Sequence, residues 1–64
     1  MKETPEGKAR LAEIYHNMGN ISMKGKDYAQ SVEAYKQSLR LNPKDDETRY
    51  NLALAQKLLS DQQN

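Results

Sequence analysis

Apolar residues recur along this chain at intervals of three and four, the period of helices that lie half in water. Leu11, Ile14, Tyr15, Met18 and Ile21 form one stripe, and Tyr28, Val32, Tyr35 and Leu39 a second, inward-facing one. Leu52, Ala53, Ala55, Leu58 and Leu59 belong to a third segment. Boundary signals separate them. Thr4-Pro5-Glu6 offers a capping hydroxyl, a proline where its missing N–H does not matter, and an acid near the positive helix end. Gly7 weakens that first turn. Gly25, between Lys24 and Lys26, ends the first helix, with the glycine expected to take a left-handed conformation. Asp27 with Gln30 three residues on reads as a capping box for the second helix, which Asn42-Pro43 then stops. Asp45 or Asp46 caps the third. Connections this short make consecutive helices antiparallel neighbours, and no segment alternates as a strand would. The fold class is all-α.

The chain also repeats itself. A shift of 34 residues lays Glu13 on Glu47, Asn17 on Asn51, Met18 on Leu52, Gly19 on Ala53 and Ile21 on Ala55. The ordered series Tyr15, Met18, Gly19, Ser31, Tyr35, Ser38, Pro43 carries aromatic, small and turn residues at fixed offsets. In that series the chain resembles the tetratricopeptide repeat family. The resemblance implies a complete helix-turn-helix repeat over 12–45, the first, capping-type helix of a second repeat over 46–60, and a polar tail over 61–64. The architecture would be one antiparallel hairpin plus one additional helix, a fragment of a right-handed α-solenoid. Gly19, lacking a side chain, would let the second helix come close near Ser31 and Tyr35. Three positions depart from the family pattern: Ser22 replaces a tyrosine, the turn glycine comes one residue early at Gly25, and Arg49 replaces an aromatic. An exposed Arg49 suits a helix that ends an array.

Composition narrows the function. Sixty-four residues bury only ~60% of the surface their unfolded chain exposes, so a free-standing core is marginal. With no cysteine, neither a disulfide nor a thiolate site is available, and self-association is the remaining remedy for small size. A formal net charge of +1 argues against nucleic acid or an anionic membrane as main partner. No stretch approaches the ~20 apolar residues of a membrane span, and no direct membrane insertion is expected. The polar close at Ser60-Asp61-Gln62-Gln63-Asn64 reads as the edge of a longer tail, so the chain is expected to be an excised piece. A bacterial parent would place it in cytoplasm or periplasm. The charge is uneven: residues 1–44 carry +3 and residues 45–64 carry −2. Either the acids serve the third helix's dipole, or the two ends attract when units stack head to tail.

Catalytic and cofactor chemistry finds no footing. His16 has neither cysteine nor the four ligands a zinc site needs. Serines 22, 31, 38 and 60 lack a histidine–acid arrangement, and Asp45-Asp46-Glu47 reads as helix capping. Gly19 and Gly25 belong to no phosphate-cradling loop, and Met18 and Met23 read as core and groove lining. The expectation is a non-enzymatic protein with no cofactor and no metal.

The family resemblance implies instead a concave groove lined by first helices. Carried over by position, its face is Glu13, His16, Asn20, Met23 and Lys24, joined by Glu47, Tyr50, Asn51 and Leu54. That face would hold a peptide or partner protein, with amides and lysine on backbone or carboxylate groups and apolar residues on side chains. Relatives that clamp a peptide's terminal carboxylate share only Asn20 and Asn51 with this chain. The alternative is a homodimer through the third helix, whose flank near Leu54 and Leu58 is expected to be uncovered. The outer side of the first hairpin is expected to be open too. Residues 42–55 also look like the tetratricopeptide component of bacterial aerotolerance (Bat) operons, which implies a scaffold role in a larger, membrane-associated complex.

Overall fold

The computed structural model describes residues 4–63, so the close of the tail at Asn64 lies outside the described residues. Three α-helices follow one another: α1 (Pro5–Lys24), α2 (Tyr28–Leu41) and α3 (Asp46–Gln63). α2 packs against both of its neighbours, and the body measures 43 × 19 × 15 Å. The all-α hairpin plus one helix is as expected.

Each start is made by the cap that the sequence offers. Thr4 Oγ1 accepts from the Gly7 amide at 3.0 Å, and Asp27 Oδ1 accepts from Gln30 N at 3.3 Å. Of the two candidates for α3, Asp45 is the cap, accepting from Thr48 N at 3.1 Å. α2 closes with the Asn42 amide on the Ser38 carbonyl, immediately before Pro43. α3 runs through Gln63 rather than stopping at residue 60, because Ser60-Asp61-Gln62-Gln63 contains no breaker.

The α1–α2 turn differs from expectation in one residue. Asp27 N bonds to Ser22 O and Lys26 N to Met23 O, the paired bonds of a Schellman motif. Its left-handed position is Lys26, at φ 62°, whereas Gly25 stands at φ −81°. The glycine is therefore one residue early, and a lysine bears the strain that a glycine would relieve.

Small residues fix the hairpin register. Ser31 Oγ donates to the Gly19 carbonyl at 2.9 Å, and Ser38 Oγ donates to the Ala12 carbonyl at 2.7 Å. Seven residues forward on α2 is thus seven residues back on α1. Both serines are fully buried, their hydroxyls satisfied by backbone oxygens. Between these rungs the Tyr35 ring, 1% exposed, lies flat on Gly19. A Cβ built on Gly19 would fall 2.4 Å from Tyr35 Cε1. α3 completes the core: Ala55 meets Val32 and Tyr35, with Met23, Leu52 and Leu59 packed around them.

That close approach decides which side of α1 faces inward. Ala12 and Gly19 are buried, whereas Leu11, Ile14, Met18 and Ile21 are 40%, 48%, 41% and 70% exposed. Met18 is therefore not core. The apolar stripe of α1 looks away from α2, since four bulky side chains cannot occupy a gap already filled by Tyr35. Ala53 is likewise exposed on α3.

Glycine substitutions test this arrangement. Gly19→Ala is expected to cost about 2 kcal/mol through overpacking against Tyr35, a fall in Tm of roughly 10 °C for a domain this size. Gly25→Ala, whose Cβ would meet nothing nearer than 3.7 Å, and Lys26→Gly should each stabilise by about 0.5 kcal/mol. Thermal denaturation followed by circular dichroism reads all three.

Candidate functional site

The Asp45 cap continues into a chain of hydrogen bonds that ties α3 to α1. Thr48, fully buried, donates its hydroxyl to Asp45 Oδ2 at 2.6 Å. The same Oγ1 lies 2.6 Å from His16 Nδ1. Its one hydrogen being committed to Asp45, Thr48 must accept from His16, so Nδ1 carries the ring proton. His16 Nε2 then faces Glu47 Oε2, 3.7 Å away. The imidazole also sits against the Tyr35 ring, centroids 6.0 Å apart at 54°. The Thr48 hydroxyl, helped by the Thr48 amide and by the nearby His16, holds the Asp45 carboxyl below the usual carboxylate range.

One turn along α1, Asn20 accepts from the Tyr35 hydroxyl. Burial pushes the Tyr35 phenol above its ordinary value, so it stays a donor. His16 and Asn20 are thus occupied in holding the fold, with His16 only 15% exposed in its side chain. Met23 is half-buried against the core. Of the other expected groove residues, Glu13, Lys24, Glu47, Tyr50 and Leu54 are exposed and Asn51 is half-buried. Tyr50 stands out at 70% exposure and Leu54 at 39%. Leu58, expected on the open flank, is half-buried.

Between α1 and the start of α3 lies an open cleft of about 310 Å³. Ala9, Ala12, Glu13 and His16 line it from α1, and Asn42, Asp45 and Glu47 from the loop and α3. Three of the nine expected groove residues meet there: Glu13, His16 and Glu47. Ala9, Ala12, Asn42 and Asp45 were not among the expected set. Asp45 was visible in the sequence as a cap, but nothing in the spacing indicated that its second oxygen would reach Thr48 and, through it, His16.

The outer side of α3 is polar. Arg49 pairs with Asp46 at 2.5 Å and also donates to the Pro43 carbonyl. Arg49, where the repeat pattern has an aromatic, is thus engaged by its own neighbours at the start of α3. A family model for the TPR repeat matches residues 19–60, about two thirds of the chain. The chain belongs to the TPR repeat family. No curated protein and no solved structure matches it. The TPR repeat is a protein–protein interaction module, and the partners of this chain are proteins. Among the described residues of this TPR chain, no helix is long and apolar enough to cross a membrane, and no three potential metal ligands converge.

Acid should loosen the α3 cap. Because the Asp45 pKa is lowered by folding, its stabilisation is complete above the unfolded value near 4 and is lost as pH falls through the folded value. Asp45→Asn keeps a capping oxygen without the charge. It should be less stable than the wild type at pH 7, by a margin that narrows as pH falls below the unfolded value, as measured by denaturant unfolding across that range.

Proposed function

We propose that this TPR domain binds an extended segment of a partner protein across the concave face formed by α1 and α3. The cleft beside His16 carries this reading: it is open, floored by the small side chains Ala9 and Ala12, and walled by Glu13, Asp45 and Glu47. Three carboxylates favour a segment that presents a lysine or arginine there, and disfavour a terminal carboxylate. Tyr50 and Leu54 continue the face as apolar contacts, with Asn51, Lys24 and Met23 beside them. His16 and Asn20 act mainly by bracing α1 against Thr48 and Tyr35.

A second reading is self-association of the isolated chain through α3, favoured by the exposure of Leu54. The likeness of residues 42–55 to aerotolerance-operon proteins supplies a candidate setting, a scaffold within a bacterial complex. The two readings use overlapping residues and are separable by charge.

The test is selection from a display library of short peptides, followed by calorimetry with the selected sequence. Enrichment of lysine or arginine and a roughly tenfold loss of affinity in Glu13→Gln/Glu47→Gln are expected. Both side chains are exposed, so the double variant should keep its helical spectrum. Enrichment of peptides ending in an acidic residue, or unchanged affinity in the variant, would contradict the reading.

A further inference from the structure

The large apolar side chains exposed on the described surface fall into two groups. Leu11, Ile14, Met18 and Ile21 stand on α1, and Tyr50 and Leu54 on α3, where half-buried Leu58 extends the row. The rows differ in the charges at their ends. Arg10 and Lys24 bracket the α1 row, fourteen residues apart; Glu47 and Asp61 bracket the α3 row, also fourteen residues apart. All four are exposed. Fourteen residues of α-helix span about 21 Å, so the two brackets match in length.

We propose that the α1 row of one copy docks on the Tyr50-Leu54-Leu58 row of a second copy, head to tail. Pairing α1 with α1 would set Arg10 and Lys24 against like charges, and pairing α3 with α3 would do the same for Glu47 and Asp61. The mixed pairing sets a cation against an anion at both ends. It also follows the charge along the chain, +3 over residues 1–44 and −2 over residues 45–64. The apolar rows supply the affinity, while the exposed end charges select which row meets which. A ridge of residues four apart on α3 fits between the three-and-four-spaced side chains of α1. The contact is heterologous: each added copy presents a free α1 row, so assembly continues past the dimer. The inference rests on the groove reading in taking Tyr50 and Leu54 as a contact surface. It makes no use of Glu13, so Glu13→Gln, which weakens peptide binding, leaves self-association unchanged.

Sedimentation velocity on the full chain and on two variants tests it. Ile21→Glu and Tyr50→Glu alter the two side chains that are 70% exposed, so both should keep the wild-type helical spectrum. For the wild type, mean mass should rise past the dimer with concentration. Association should weaken several-fold in 1 M salt, where screening acts within about 3 Å. Each variant alone should be monomeric over the same range. Their equimolar mixture should form a 1:1 dimer that grows no further, because each supplies the row that the other lacks. A wild type that stays monomeric up to about millimolar concentration, weaker than any stable assembly requires, would overturn the proposal. So would a Tyr50→Glu variant that still self-associates, or a mixture in which no dimer forms.

Discussion

The contact between Gly19 and the ring of Tyr35 is the constraint on which the rest of this molecule depends. It brings α1 and α2 so close that the positions flanking it must be small, and they are Ala12, Ser31, Ala34 and Ser38. Serine serves at two of these places because its hydroxyl reaches a carbonyl of the opposite helix and leaves no buried polar atom unpaired. The ring that fills the gap then becomes the platform for everything beyond it. Val32 and Ala55 pack beside it, His16 lies against it, and its hydroxyl holds Asn20.

From that platform the surface follows. With small residues turned inward, the bulky side of α1 has to face out, giving the domain an apolar row that it does not cover itself. On α3 the reverse holds on the outer side, where Arg49, Asp46 and the Pro43 carbonyl form a polar closure. The cleft between α1 and the start of α3 gathers acids near His16, and Tyr50 and Leu54 stand exposed farther along α3. A chain this small thus carries three distinct features: a core of small contacts, an acidic cleft, and two oppositely bracketed rows.

Much of this was legible in the residues. Caps at Thr4 and Asp27 and the stop at Asn42-Pro43 follow from local chemistry, the need for no side chain at Gly19 follows from the repeat resemblance, and each is found. What periodicity could not supply was direction. Leu11, Ile14, Met18 and Ile21 recur as a buried face would, yet the packed face is the one through Ala12 and Gly19, because size complementarity with Tyr35 outweighs apolarity. The turn shows a similar limit, since Gly25 announces a left-handed residue that geometry assigns to Lys26. His16 and Asn20 were placed on the groove by their offsets in the repeat. Their partners, Thr48 and Tyr35, are 32 and 15 residues away, contacts that repeat offsets do not reveal. Glu13 and Glu47 keep their expected exposure, Glu47 even with His16 Nε2 3.7 Å from its carboxylate.

The orientation of α1 is the central claim, and nuclear Overhauser contacts at low protein concentration test it most directly. The account predicts strong contacts from the Tyr35 ring to the Gly19 α-protons, which the ring should shift upfield. It predicts no contact from the Ile14 and Ile21 methyl groups to any side chain of α2 or α3. Ile14 or Met18 contacts to Val32 or Tyr35, with Gly19 unshifted, would contradict it by showing α1 turned with its apolar row inward.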